Sequence, residues 1–195
     1  MTAPASLLSK AELRAAAMAR RDALTATVRE QGSAEISVRA NRIVNLVRPG
    51  VLAAYLPIWS EVDPRPIITA AHERGIAVVL PAVVDGTTLV FRRYEPDDRL
   101  EAGRFGTLHP ASSAKIAAPD LVISPMIAFD REGMRLGHGR GFYDRAIARL
   151  HGEGKRPLLV GVAFAVQEVD AIPHEAHDIR MDVIVTERET LDYRR

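Results

Sequence analysis

Between Met134 and Leu150 the chain reads Met-Arg-Leu-Gly-His-Gly-Arg-Gly-Phe-Tyr-Asp-Arg-Ala-Ile-Ala-Arg-Leu. Three glycines, Gly137, Gly139 and Gly141, alternate directly ahead of an apolar spacing (Phe142, Tyr143, Ile147, Leu150) that suits a helix. Glycine is required where the backbone takes positive φ or where a ligand approaches closer than a Cβ permits. Alternating glycines at a helix start turn amide N–H groups toward one point, and unpaired amides plus the positive end of the helix dipole attract phosphate oxygens. Arg135, Arg140 and Arg145 bracket the loop and add side-chain cations, while Asp144 is the single acid among them. The same residues allow a plain tight turn with solvated arginines. The spacing is neither that of the P-loop nor that of the dinucleotide fingerprint.

Other residues suited to chemistry are scattered. Lys10 and Arg14 lie four apart on a predicted helix and share a face, which serves a ligand or simply water. Glu61 falls just past the carboxyl end of a predicted strand, where open α/β sheets bind ligands, although loop acids are commonly only hydrated. Trp59 beside it, the chain's one tryptophan, suits either a core or a ligand wall. His174-Glu175-Ala176-His177-Asp178 invites a zinc reading, but its histidines are three apart after Pro173 and the zincin pattern needs four on a helix.

The elements that would position these groups follow from capping and periodicity. Ser9-Lys10-Ala11-Glu12 is a capping-box pattern opening a helix from about Lys10 to Leu24. Thr27-Val28-Arg29-Glu30 repeats it for a second helix with Ile36, Ile43, Val44 and Val47 on its apolar side, ended by Pro49-Gly50. Val51–Leu56 reads as a buried strand closed by Pro57. Asp63 as N-cap and Pro64 at N1 open a helix that stops at Gly75. Ile76–Leu80 is a further strand, and Val83-Val84, Asp85-Gly86, Leu89-Val90-Phe91 reads as a hairpin. Glu95–Pro119 reads as a loop whose length suggests function or mobility. Leu121–Ser124, the helix after the glycine loop, and Leu158–Val162 imply a parallel crossover, and Met181–Thr186 is the last strand. Together these predict a single α/β domain over 1–195: three layers, a mainly parallel central sheet flanked by helices, one β-hairpin and an N-terminal helical segment.

The string Arg135-Leu136-Gly137-x-Gly139-x-Gly141-x-Tyr143-Asp144-Arg145, with Ala128-Phe129-Asp130-x-x-Gly133 upstream, resembles the signature of the 5-formyltetrahydrofolate cyclo-ligase family, also called methenyltetrahydrofolate synthetases. The resemblance covers nearly the whole chain. It implies ATP- and Mg²⁺-dependent cyclisation of 5-formyltetrahydrofolate to 5,10-methenyltetrahydrofolate with release of ADP and phosphate, through phosphorylation of the formyl oxygen and attack by N10. It further implies that ATP meets Lys10, Arg14, Arg135, Leu136, Gly137, His138, Gly139, Arg140, Gly141, Phe142 and Tyr143. Folate would meet Leu56, Trp59, Glu61 and Tyr143, and Arg135, Arg140, Tyr143 and Arg145 would serve catalysis. Asp144 and Asp178, the latter within His177-Asp178-Ile179-Arg180-Met181-Asp182-Val183, would hold Mg²⁺; read without the family, Asp144 suits an N-cap and Asp178 a salt bridge to an arginine. The chain departs from the family at Phe142, often Tyr, at Arg140, often Lys, and at Gly106-Thr107-Leu108-His109-Pro110, where the family has a glycine followed by an acid and a proline.

Composition sets outer limits. The 195 residues, 47% hydrophobic and 26% charged, suffice for one sizeable core. Twenty-six Lys and Arg against 25 acids leave a net charge of +1, no global field for nucleic acid or an anionic membrane. The absence of cysteine removes disulfides and thiolate nucleophiles and suits a reducing compartment. Glu12 and Asp22 interrupt the Arg/Ala-rich N-terminal stretch, and no apolar run has the length of a signal core or a membrane span. The expectation is a cytoplasmic monomer whose partners are ATP and 5-formyltetrahydrofolate, polyglutamylated forms included. Two other readings use the same residues: a sugar-phosphate isomerase or acyl-transfer protein, which would use the glycine loop without ATP, and a non-catalytic folate- or nucleotide-binding regulator, which would lack part of the Lys10, Arg14, Asp144, Asp178 set.

Overall fold

The structure, a computed structural model, describes residues 8–103, 106–175 and 177–194. Arg104 and Phe105 of the Glu95–Pro119 segment and Ala176 of the histidine segment lie outside the described residues. A seven-stranded sheet forms the centre. Its strands are β1 (Val51–Ala53), β2 (Ala77–Val84), β3 (Thr88–Arg93), β6 (Leu121–Pro125), β9 (Leu158–Val162), β10 (Val183–Val185) and β11 (Thr190–Asp192), in the order β11-β10-β9-β6-β1-β2-β3. The five inner strands run parallel, and antiparallel β3 and β11 close the two edges. Two antiparallel ribbons stand outside it: β4 (Leu100–Ala102) with β5 (Leu108–Pro110), and β7 (Ala128–Phe129) with β8 (Arg135–Leu136).

Alternation along the inner strands divides the core into two layers. Leu52, Val78, Leu121 and Val160 face α2 (Ala26–Val47) and α3 (Arg65–Glu73), meeting Ile36, Ile43 and Ile67. Their neighbours Ala53, Val79, Val122 and Leu159 face α4 (Phe142–Gly152), meeting Ile147 and Leu150. α1 (Lys10–Asp22) packs apart from both, laying Leu13 and Ala17 on Ile127, Ala128, Met134 and Leu136 of the β7–β8 ribbon. The strand preceding the glycine loop is therefore fixed to α1, which carries Lys10 and Arg14.

Local signals account for most element boundaries. The Ser9/Glu12 capping box forms in both directions, and α1 ends at Asp22, one residue short of an αR cap at Ala23. α2 is capped by Thr25, whose Oγ1 accepts from the Val28 amide, so the expected Thr27 cap lies inside the helix. Val47, expected on the buried side, is 37% exposed in the last turn. α3 begins at Arg65 with Pro64 in the cap position; Asp63 still serves the start, accepting from the Arg65 amide at 3.0 Å. The Asp85-Gly86 turn has positive φ at both residues (49° and 78°), as the tightest hairpin turns require.

Further expectations are corrected: Met181–Thr186, expected as the last strand, pairs only over Val183–Val185 and is followed by β11 at the sheet edge. The run Val51–Leu56 pairs as a strand only through Ala53; Tyr55 and Leu56 leave the sheet to line a cleft. β2 extends to Val84, beyond the expected Leu80, because it carries the hairpin. The Glu95–Pro119 loop holds the β4–β5 ribbon, whose three-residue strands are too short to announce themselves by alternation.

Candidate active site

A cleft of about 1070 Å³ opens at the carboxyl ends of β1 and β6, the side on which parallel α/β sheets take ligands. Lys10, Arg14, Leu56, Trp59, Glu61, Asp144, Asp178 and every residue from Arg135 through Arg145 line it. The residues that the sequence assigns to ATP, folate, catalysis and Mg²⁺ are thus brought together, whereas His174 and Asp130 lie outside the lining.

The glycine loop joins β8 to α4. Gly139 (φ 83°) and Gly141 (φ 61°) sit in the left-handed region, and Gly141 is the N-cap of α4 with no side-chain cap. The first bond inside the helix runs from the Arg145 amide to the Gly141 carbonyl, leaving the Phe142, Tyr143 and Asp144 amides without a helical partner. Among the described residues, the amides of Gly137, His138, Gly139 and Gly141 donate to no backbone carbonyl. Gly137 differs from its neighbours. Its φ lies outside the left-handed region and a Cβ there would meet nothing within 4 Å. Neither a left-handed φ nor internal packing demands glycine at 137.

Cations reach the loop by different routes. Arg14 Nε donates to the Gly137 carbonyl at 2.8 Å, and its guanidinium lies against Gly139. Lys10 Nζ meets Asp178 Oδ2 at 2.6 Å. Arg145 donates to the Thr87 carbonyl at 3.2 Å and stands over the Phe142 ring. Arg135, expected to face phosphate directly, has a side chain only 6% exposed; it donates to Asp144 Oδ1 at 2.9 Å and to the Ile179 carbonyl at 2.5 Å. It therefore fixes Asp144 and the backbone at Ile179, the residue after Asp178.

The two acids are held, not capping. Asp144 sits inside the first turn of α4, and both of its hydrogen bonds, from Arg135 and from the Ile179 amide at 3.3 Å, fall on Oδ1. Asp178 Oδ2 takes Lys10 and, at 2.9 Å, the Glu175 amide; its salt bridge is to a lysine, where an arginine was one expectation. Burial opposes ionisation of Asp178, but the hydrogen bonds from Lys10 and the Glu175 amide, with the Lys10 and His177 charges, outweigh it and hold the carboxyl below its usual range. Among the described residues no cluster of three or more His, Cys, Asp or Glu side chains could enclose a metal by itself. Mg²⁺ does not need one, since it commonly takes one or two carboxylates and completes its shell with phosphate oxygens and water. Two carboxylates lining the cleft, Asp144 with no hydrogen bond to Oδ2 among the described residues, fit that donor set.

Glu61 stands on the other side of the loop. Its side chain is 5% exposed; Oε2 accepts from the Ile58 amide at 3.1 Å and Oε1 faces His138 Nε2 at 3.3 Å. Glu61 thus also closes its own turn, a structural reason that the sequence did not suggest. The turn is anchored from behind by buried Arg21, which donates to Ser60 Oγ at 2.9 Å, while Ser60 donates to Asp22. Trp59 pays for its place with a left-handed φ of 51°, rare for a bulky residue, and is 69% exposed. Tyr55 and Tyr143 flank Glu61; burial first, and then the Glu61 charge, push both phenols above their ordinary pKa, so both remain protonated donors.

Several lining residues escaped sequence reasoning: Tyr55 just after β1, Val83 and Leu89 from the hairpin strands, and Thr107, Leu108 and His109 at the β4–β5 ribbon. The length of the Glu95–Pro119 segment was the only signal for the ribbon. Asp130, by contrast, is a framework residue, accepting from the Glu132, Met134 and Ile172 amides.

Amides without a helical partner at a helix start, cations beside them and a mixed acidic and aromatic wall opposite, on an α/β frame, have the chemistry that suits a phosphorylated ligand next to an organic one. The sequence model of the 5-formyltetrahydrofolate cyclo-ligase family matches residues 7–187. The 5-formyltetrahydrofolate cyclo-ligase of Escherichia coli K12 is 31% identical over 86% of this chain and 94% of its own, and that of Mycolicibacterium smegmatis is 31% identical over 91% and 93%. The solution structure of Aquifex aeolicus 5,10-methenyltetrahydrofolate synthetase superimposes with a TM-score of 0.81 at 31% identity, covering 95% of this chain and 93% of that one. A 5,10-methenyltetrahydrofolate synthetase from Mycoplasma pneumoniae shares the fold with a TM-score of 0.76 at 20% identity. The chain belongs to the 5-formyltetrahydrofolate cyclo-ligase family, whose reaction is ATP-dependent cyclisation of 5-formyltetrahydrofolate.

Proposed function

We propose that the cleft binds MgATP and 5-formyltetrahydrofolate side by side and converts the folate to 5,10-methenyltetrahydrofolate. The observation that carries this is the seam at His138: an amide-lined loop bordered by Lys10 and Arg14 on one side, and a buried carboxylate with aromatic neighbours on the other. The loop amides, Arg14, Arg140 and Lys10 hold the triphosphate, and Glu61 with Leu56, Trp59 and Tyr143 orients the folate. Arg135 keeps Asp144 in place. Asp144 and Asp178 hold Mg²⁺, which supplies neutralisation of phosphate charge.

The chemistry needs positioning more than a nucleophile. The formyl oxygen attacks the γ-phosphorus of ATP and ADP departs, turning a poor leaving group into phosphate. N10 then adds to the formyl carbon, phosphate leaves with its oxygen, and the N10 proton passes to solvent, giving the methenyl bridge. Oriented amides and guanidinium groups stabilise the transferring phosphoryl group without reorganising. Tyr143, protonated beside Glu61, donates within the site, and Arg145 supports the helix start through Phe142. Among the described residues no helix is long and apolar enough to cross a membrane; we place the enzyme in the cytoplasm as a monomer, acting on mono- and polyglutamylated folate.

Purified protein given 5-formyltetrahydrofolate and MgATP is expected to produce the absorbance of methenyltetrahydrofolate with stoichiometric ADP. No product at any enzyme concentration overturns the proposal.

A further inference from the structure

The two oxygens of Glu61 are held differently. Oε2 is fixed by the Ile58 amide within its own turn, whereas Oε1 faces the imidazole of His138 at 3.3 Å. With the Glu61 side chain only 5% exposed, Oε1 is the oxygen a ligand in the cleft would meet, and His138 already stands on it. The His138 side chain is 39% exposed and its ring meets Trp59 edge-on, centroids 5.7 Å apart. A side chain of the loop assigned to nucleotide is therefore seated among the groups assigned to folate.

We propose that His138 is a latch between the two substrates: its imidazole satisfies Glu61, folate displaces it, and the displacement moves the loop that receives ATP. This rests on the assignment of Glu61 to folate made above. A nearly buried carboxylate oxygen without a donor is costly, so a resident donor keeps the empty site stable. The pterin ring offers N–H donors of the same kind, and the two sets compete for one oxygen. His138 lies between Gly137 and Gly139, the latter at φ 83°, so it can swing without the restriction a Cβ on either neighbour would impose. Arg14, bonded to the Gly137 carbonyl and packed on Gly139, links any such movement to the phosphate side. Coupling of this kind is reciprocal, so nucleotide on the loop should alter how His138 engages Glu61 and Trp59. His138 is a positioning residue in this scheme and takes no part in bond making.

The test combines calorimetric titration of 5-formyltetrahydrofolate, without nucleotide, with the fluorescence of Trp59, the chain's one tryptophan. His138→Ala removes the competitor and is expected to tighten folate binding by about fivefold, the scale of one part-exposed contact. His138→Gln restores an N–H donor and should return the folate Kd to within about twofold of the wild type. Titrating wild type with MgADP should change Trp59 emission, and His138→Ala should abolish that change. Folate binding unchanged or weakened in His138→Ala, or a nucleotide-induced emission change that survives the substitution, overturns the latch. Glu61→Gln separates the two layers of inference. If it leaves the folate Kd unchanged, the Glu61 assignment falls and the latch with it. If it weakens folate while His138→Ala fails to strengthen it, the latch alone is wrong.

Discussion

Lys10 Nζ lies 2.6 Å from Asp178 Oδ2, joining the first helix to the segment ahead of β10 across 168 positions of sequence. Both side chains are about a quarter exposed (26% and 21%), so the pair is a poor stabiliser by itself. Under the proposed function its value lies in holding a cation and an anion at one edge of the cleft, where Lys10 would exchange Asp178 for a phosphate oxygen and Asp178 would exchange Lys10 for a metal ion.

Lys10→Met should therefore act on nucleotide more than on stability. Loss of one charge-assisted phosphate contact predicts a KM for ATP raised about tenfold or more, with a thermal midpoint close to wild type. Initial rates against ATP concentration, with a melting curve beside them, check this; an unchanged KM would remove Lys10 from the phosphate site.

Gly137 and Gly139 should respond to alanine in opposite ways. Gly139→Ala forces a Cβ into a left-handed conformation at φ 83° and should cost about 1–2 kcal/mol of stability. Gly137→Ala meets no atom within 4 Å and should melt like the parent, yet weaken ATP about tenfold because its Cβ occupies the ligand's approach. If Gly137→Ala binds ATP normally, the loop is a structural turn.

Asp144→Asn should cut turnover about a hundredfold or more, the scale of losing a charge that stabilises phosphoryl transfer. It leaves Arg135 its bond to the Ile179 carbonyl, so the folded state should persist by circular dichroism. Chelation of divalent ions should halt product formation in the parent enzyme and be reversed by added Mg²⁺. Turnover equal to the parent in Asp144→Asn would exclude this carboxylate from the site.

The hairpin offers a test of acid sensitivity outside the cleft. Asp85 Oδ1 accepts from the Thr87 hydroxyl and the Thr87 and Thr88 amides, which lower its carboxyl to about 2 from 3.8. A depressed pKa gives stability that is present above the unfolded value and lost as pH falls through the folded one, here from about 4 toward 2. Asp85→Asn should flatten the dependence of the urea midpoint on pH within that window and leave it unaltered between pH 6 and 8. An identical acid slope in both proteins would show that these bonds do not matter to folding.

What could be read from the sequence was local. Ser9 with Glu12, Pro49-Gly50, Asp85-Gly86 and the glycine run each specify backbone by their own chemistry, and each appears where its pattern stands. The choice of Thr25 over Thr27 as a cap, two residues earlier, turned on the Thr25 hydroxyl taking the Val28 amide, a difference that composition does not reveal. Tyr55 and Leu56 looked like strand because burial alone gives the same apolar run whether the neighbour is a sheet or a ligand. The site's pairings, Lys10 with Asp178 and His138 with Glu61, join segments far apart in sequence, and no local spacing encodes them. The family resemblance supplied the residues; only the fold supplied the fact that Arg135 faces Asp144 and that His138 faces Glu61.

The way α1 closes the cleft also bears on how the protein comes to work as it is made. Its cations can be seated only when the β7–β8 ribbon and then Asp178 have emerged behind them, so chains stopped short of Asp178 would carry most of the sheet-forming sequence but not the partner that seats Lys10. Ribosome-bound intermediates should then be silent as enzymes until Asp178 has left the ribosome, and the onset of activity should coincide with that long-range closure and not with the early appearance of helices.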